Sequence, residues 1–256
     1  PLREIFKHLK RFKAGDEYRS LRGIVFGMSE SLSESNEGIE EYDRMIQKDP
    51  KNAMLYANRA TFLSGQGRNE EALRDYDRAI ALDPKLALSY SNRGLFYARQ
   101  KRYAEALRDY DQALSLDPKL VLGYYNRGEW YEIHGRHEEA LRDLSQAIAL
   151  NPKFGAAYLK RGDIYQVLGK DEEAIRDYTQ AIFYCPSDLY SYNNRGNLYS
   201  KQGKYEEALN DYTRAISLDP KLGVGYLNRG AVFYKLGKDA EAEADFTRAI
   251  SLDPKL

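Results

Sequence analysis

Prolines stand at positions 50, 84, 118, 152, 186, 220 and 254, thirty-four residues apart each time. Most of them sit in the tripeptide Asp-Pro-Lys. A period of this length describes one supersecondary unit written many times. A single such unit cannot bury its own apolar face, and neighbours stacked in order bury it instead. In 121–154 the residues Tyr124, Arg127, Gly128 and Tyr131 have the spacing of one helix, and Ala140, Leu141, Leu144, Ala147 and Ile148 that of a second. Between them Gly135 supplies a positive φ to stop the first helix. Glu138 and Glu139 then occupy the first turn of the second, where the helix dipole favours negative charge. The same glycine recurs at Gly67, Gly169, Gly203 and Gly237, and Lys101 takes its place in one unit. These patterns predict an all-α chain of antiparallel helix pairs.

The units resemble the tetratricopeptide repeat (TPR) family, whose pattern over thirty-four residues is a large aromatic, Leu-Gly, Tyr, Ala, an aromatic and Pro. Here it reads Tyr158, Arg161-Gly162, Tyr165, Ala174, Tyr178 and Pro186. The resemblance covers six regular units, 53–86, 87–120, 121–154, 155–188, 189–222 and 223–256. A seventh, 16–52, is degenerate: "LRGIVF" and "GIEEYDRMIQKDP" align with the pattern, with about three extra residues between them in "MSESLSESNEG". It implies a single right-handed superhelical solenoid. Residues 1–15 precede it as an amphipathic extension, read as a capping helix over the first unit, with Leu2, Ile5, Phe6, Leu9 and Phe12 on one face and Lys7, Lys10, Arg11 and Lys13 around them.

Charge excludes some functions. The chain has 39 basic and 39 acidic residues among 256 and no net charge, which argues against a nucleic-acid binder. No apolar run approaches the ~20 residues of a membrane span. The lone cysteine, Cys185, allows no internal disulfide and points to a reducing, cytoplasmic setting. The chain starts at Pro1 and stops on a repeat boundary, so it reads as trimmed, and a lost targeting segment is compatible with it. Enzymatic signals are absent. His134 and His137 straddle a turn and, like His8, read as surface residues. No phosphate loop or nucleophile motif occurs. Acid pairs such as Glu206-Glu207 are first-turn helix residues. No enzyme activity, cofactor or metal is expected.

Recurrent residues have structural readings first. Tyrosines open each regular unit (Tyr56, Tyr90, Tyr124, Tyr158, Tyr192, Tyr226) and recur in both helices, which suits interhelical packing. Gly94, Gly128, Gly162, Gly196 and Gly230 mark a close helix approach, where Ala60 shows one larger residue tolerated. The family's usual Leu is replaced by Arg22, Arg59, Arg93, Arg127, Arg161, Arg195 and Arg229. Each unit also has an acid before the second-helix aromatic or Leu: Glu41, Asp75, Asp109, Asp143, Asp177, Asp211 and Asp245. In the regular units the offset is sixteen residues, which predicts an Arg–carboxylate pair within each hairpin. An arginine stripe for phosphate or RNA is the alternative.

The residue before the Arg carries the functional reading. It is Asn58, Asn92, Asn126, Lys160, Asn194 and Asn228. An amide offers both donor and acceptor, so it pairs with a peptide group whatever the side chain. By resemblance, the first helices line the concave surface, and an Asn here grips the backbone of an extended peptide. The superhelical repeat region of O-linked N-acetylglucosamine transferase has a similar asparagine ladder. The competing reading is that the Asn bonds neighbouring helices. Residues around it would tune specificity: Tyr125, Glu129, Glu132 and Asp163 form an acidic middle, Asn193 and Asn197 lie beside it, and Arg99, Lys201 and Lys235 flank it. A chaperone-tail clamp fits only partly, because Ser91 and Leu95 do not supply its first part.

The expected function is a protein–protein interaction module that binds a protein or peptide in extended form. Two alternatives are a structural scaffold, self-associating through exposed ends, and a tether to an acidic or lipid surface through residues 1–13. No other membrane role is expected.

Overall fold

A computed structural model describes residues 32–253. The first part of the degenerate unit, 16–31, the extension 1–15 with its arm 1–13, Arg22 and His8 lie outside them. The described residues hold thirteen α-helices: α1 (Leu32–Lys48), α2 (Ala53–Gly65), α3 (Asn69–Leu82), α4 (Ala87–Arg99), α5 (Tyr103–Leu116), α6 (Val121–Ile133), α7 (His137–Leu150), α8 (Gly155–Val167), α9 (Asp171–Tyr184), α10 (Leu189–Lys201), α11 (Tyr205–Leu218), α12 (Gly223–Lys235) and α13 (Asp239–Leu252). From α2 onward they pair as the repeat predicts. The chain divides into two compact units, through Gly123 and from Tyr124.

The turns explain the punctuation. Gly67, Gly135, Gly169, Gly203 and Gly237 have φ between 69° and 74°, in the left-handed region. Lys101 adopts φ 59° at the same place. Between pairs, the Asp of Asp-Pro-Lys accepts a hydrogen bond from the backbone N–H two residues on, as Asp83 does from Lys85 (3.0 Å) and Asp219 from Lys221 (2.9 Å). This side-chain turn fixes the entry to the next helix. The unit-opening tyrosine locks the same loop: Tyr56 donates to the Pro50 carbonyl (3.2 Å).

Within each unit the second helix of one repeat packs against the first helix of the next. Tyr178 and Ala174 of α9 pack with Leu198 of α10, and Tyr212 and Ala208 of α11 with Val232 of α12. Tyr110, Tyr178 and Tyr212 are almost wholly buried. Their rings lie on the small residues of the partner helix. A Cβ on Gly94 would meet the Tyr110 ring at 2.8 Å, and one on Gly162 the Tyr178 ring at 2.8 Å. The tyrosines are therefore packing residues.

The degenerate unit differs in one respect. Its second helix, α1, runs 17 residues where the others run 14, because the Ser/Glu-rich stretch joins it from Leu32. Gly38 belongs to the packing rather than to a spacer: a Cβ there would lie 2.8 Å from the Phe62 ring.

Candidate functional site

The arginines come first, because they fix the first helices. In all six regular units the guanidinium meets the predicted acid through two parallel bonds. Arg59 Nε and Nη2 donate to Asp75 at 2.6 and 2.7 Å, and Arg195 Nε and Nη2 to Asp211 at 2.8 and 2.8 Å. The Nε–carboxylate distances for Arg93–Asp109, Arg127–Asp143, Arg161–Asp177 and Arg229–Asp245 are all 2.7 Å. The bidentate geometry matches fork to carboxylate. Each acid is buried, so these arginines form no stripe for phosphate or RNA.

The third guanidinium nitrogen makes a bond the sequence reading missed. Nη1 reaches back to the preceding repeat, sixteen residues upstream. Arg59 Nη1 donates to Asp43 and Arg93 Nη1 to Asp77, both at 2.6 Å. Arg161 donates to Ser145 (3.0 Å), Arg195 to Thr179 (2.9 Å) and Arg229 to Thr213 (3.1 Å). Each of these arginines thus staples three helices. The signal was present: a second oxygen-bearing residue always stands two positions after the paired acid.

The ladder residue precedes the Arg and so projects from the first-helix surface beside it. In the second unit it is engaged. Lys160 Nζ of α8 lies 3.3 Å from Glu129 and 3.8 Å from Glu132 of α6. Asn194 Nδ2 of α10 donates to Asp163 of α8 (3.0 Å). Asn228 Nδ2 of α12 donates to Asn193 and Asn197 of α10 (3.1 and 3.0 Å). Asn193 Nδ2 donates to Asn194 Oδ1 (3.3 Å). The offset of Lys160–Glu129, Asn194–Asp163 and Asn228–Asn197 is thirty-one residues each time. Buried tyrosines support the acceptors: Tyr178 Oη donates to Asp163 (2.8 Å) and Tyr212 Oη to Asn197 (2.8 Å). At Asn194 and Asn228 the amides bond neighbouring helices, the competing reading given above.

Asn58 and Asn92, in the first unit, differ. Asn58, Asn92 and Asn126 are buried. Among the described residues no hydrogen bond engages Asn92, and the residue at the acceptor position thirty-one residues upstream, Thr61, is held by the Ala57 carbonyl and the Tyr76 hydroxyl. Ala57 and Ser91, the residues before Asn58 and Asn92, are wholly buried and do not face a ligand.

Charge at the acidic middle is partly compensated. Burial pushes the Glu132 and Asp163 carboxyls above the ordinary carboxylate range, although Lys160 draws both down. Burial draws the Lys160 ammonium down, and Glu129 and Glu132 more than offset it, so it ends above its ordinary value. Burial also raises the half-buried Tyr125 phenol, next to Glu129, and its ring packs on Phe154 at 5.0 Å. The flanking cations are less available than their spacing suggested. Lys201 pairs with Asp171 at 2.6 Å, and Lys235 lies over the Tyr205 ring at 5.8 Å. Arg99 is exposed.

Two residues that the sequence reading passed over are the most open on this surface. Ile133 and Val167 end α6 and α8 and are 73% and 70% exposed. They stand one helical turn beyond Glu129 and Asp163. Their signal was a β-branched residue where other units carry Gly65, Arg99, Lys201 or Lys235.

His134 stacks on Trp130 with ring centroids 4.0 Å apart and is exposed, and His137 is half-buried. Cys185 is free and exposed. No group of three or more metal-binding side chains occurs among the described residues, and none of their helices is long and apolar enough to cross a membrane.

Stacked helix pairs with this turn, this small-residue approach and this closing proline define a tetratricopeptide repeat protein. Sequence models of the tetratricopeptide repeat match residues 87–120, 190–222 and 224–256, and also 121–154. Related repeat models match 65–101, 162–203 and 41–74. The chain belongs to the tetratricopeptide repeat family, and it carries a protein-interaction fold with no catalytic family indicated.

No curated protein matches the chain. Among solved structures it is similar to PilF of Pseudomonas aeruginosa, at 17% identity and TM-score 0.74 over 80% of this chain and 93% of that one. It is also similar to the APC/C hetero-tetramer Cut9-Hcn1, at 16% identity and TM-score 0.73, over 87% of this chain but 44% of that one. Both likenesses concern the fold. YrrB, described as a TPR protein with an unusual peptide-binding site, is 26% identical with TM-score 0.54 over 73% of this chain and 96% of that one.

Proposed function

We infer that the chain is a protein-interaction module whose first-helix surface holds an extended segment of a partner protein. One observation carries this reading. Five of six regular units keep an amide at one position of that surface, while the residues around it change from unit to unit. A constant amide suits a constant backbone, and variable neighbours suit a particular side-chain sequence. Asn92 has an unengaged amide. Asn194 and Asn228 are held in place by neighbours, yet each side-chain oxygen has two lone pairs and retains capacity to accept a ligand N–H. One Asn per helix pair is compatible with one grip per three ligand residues, since packed helices stand 8–10 Å apart and three polyproline II residues cover roughly 9 Å. The peptide-binding site described for YrrB supports the same reading by analogy. With one free cysteine, we assign the cytoplasm as its compartment.

The test uses a peptide selected from a random library against the whole chain. Asn92→Ala should weaken that peptide by about 0.5–1.5 kcal/mol, the contribution of one hydrogen bond, which is up to about tenfold in Kd. The melting temperature without peptide should not fall, because Asn92 supports no neighbour. Unchanged affinity in both Asn92→Ala and Asn228→Ala would sink the reading.

A further inference from the structure

Ile133 and Val167 pose a problem the fold does not solve. They occupy equivalent positions at the ends of neighbouring first helices, and each is more than two-thirds exposed. Two units later the same position is Lys201 and then Lys235, whose long stems fold back onto the start of the preceding second helix, at Asp171 and Tyr205. A branched aliphatic side chain cannot make that reach. Both stay in water, where apolar surface gains most from being covered.

What surrounds them selects the cover. Glu129 precedes Ile133 by four residues, and Asp163 precedes Val167 by four, so each carboxylate lies one turn away on the same face. Glu132 is adjacent. One cation, Lys160, serves this group. Three carboxylates against one ammonium leave the patch negative. A ligand that covers the aliphatic pair therefore gains by bringing positive charge.

We propose that this patch of the second unit is a specificity subsite for an extended peptide carrying an aliphatic or aromatic residue next to an arginine or lysine. The geometry fits one strand. A helical turn advances about 5.4 Å and an extended residue about 3.3 Å. A strand that crosses the first helices therefore sets one side chain on Ile133 or Val167, while the long side chain of an arginine or lysine beside it spans the one turn to Glu129, Glu132 or Asp163. The subsite rests on the peptide-binding reading above and adds which sequences it prefers.

The experiment selects a displayed random-peptide library on the whole chain, on Ile133→Ser/Val167→Ser, and on Glu129→Gln/Glu132→Gln. Ile133 and Val167 are exposed, and Glu→Gln keeps the shape of the half-buried Glu129 and Glu132, so helicity should be unchanged, which circular dichroism checks. The natural chain should enrich peptides with an apolar residue beside Arg or Lys. The Ser pair should lose the apolar preference and keep the basic one, and the Gln pair should do the reverse. A synthetic peptide of the enriched sequence should bind each variant roughly tenfold more weakly. Lys160→Ala should bind it more tightly, because it removes the competing cation. Enriched peptides that lack the apolar–basic pair would overturn the subsite and leave the peptide-binding reading standing. No enrichment on any form would overturn both. If the Ser pair instead lowers the mass measured by light scattering, the patch serves a second copy of the chain, and the peptide subsite is wrong.

Discussion

The side chain of Asp211 is 1% exposed and that of its partner Arg195 is 15% exposed. A buried ion pair of this kind is costly to break and of small net worth, because desolvation offsets most of the attraction. Arg195→Ala leaves a carboxylate buried without its cation. It should cost about 3–5 kcal/mol in urea unfolding, whereas the apolar double variant Arg195→Met/Asp211→Leu should recover most of that. If the single and double variants are equally unstable, the pair is not what holds this hairpin. The amides of Asn194 and Asn228 predict a smaller effect. Each donates to a neighbouring first helix, so Asn194→Ala/Asn228→Ala should lower stability by about 1–3 kcal/mol without ligand. Ala's better helix propensity returns a few tenths. The Arg–Asp pairs were legible in the sequence because one offset of sixteen residues repeats in every regular unit. The engagement of Asn194 and Asn228 was not. The partners thirty-one residues upstream change identity along the ladder, Glu129 for Lys160, Asp163 for Asn194 and Asn197 for Asn228, so no pattern announces them.

At the scale of the element, the turn between paired helices uses one conformation with two residue types. Gly203 has φ 74° and Lys101 φ 59°. An L-residue in this region costs roughly 1–2 kcal/mol, while glycine costs about 0.5–1 kcal/mol of extra chain entropy on folding. Lys101→Gly should therefore stabilise the α4–α5 hairpin by up to about 1 kcal/mol. Gly203→Ala should destabilise α10–α11 by a similar amount. Nothing lies within 4 Å of a Cβ at Gly203, so the effect is one of backbone conformation and not of crowding. Thermal melts of the two variants should move in opposite directions; movement in the same direction would refute the assignment. Helix bounds were legible to this degree because each turn carries its own chemistry, glycine at one end of the hairpin and Asp-Pro-Lys at the other. The start of α1 was not, because "MSESLSESNEG" has no such mark. Its serines and glutamates suit a first helical turn as well as a spacer. Cys185 shows the converse. It stands where other units have Asp or Asn, and the entry to the next helix is held instead by Asp188, whose side chain accepts from the Ser191 N–H (3.2 Å).

Across the whole molecule, the third arginine nitrogen divides the chain into two chemistries. Its seat on the preceding repeat is Asp43 and Asp77 in the first unit, and Ser145, Thr179 and Thr213 in the second. In a repeat array, stability is close to a sum of unit and nearest-neighbour contributions, so the kind of bond between neighbours sets how each half responds to solvent. The side chains of Asp43 and Asp77 are 45% and 55% exposed, and exposed ion pairs contribute at most about 1 kcal/mol and are screened by salt. The hydroxyl bonds carry no net charge on the acceptor and are indifferent to screening. Raising sodium chloride from about 0.01 M to 1 M shortens the screening length from roughly 30 to 3 Å. Amides of α2 to α4 should then lose protection from hydrogen exchange severalfold, while those of α10 to α12 should change little. Exchanging the seats tests the cause. Thr179→Asp places a carboxylate against Arg195 and should make α9 and α10 salt-sensitive. Asp77→Thr should make α3 and α4 less so, because Arg93 then meets a neutral acceptor. If both halves respond alike before and after the exchange, the inter-repeat staple does not govern how neighbouring repeats couple.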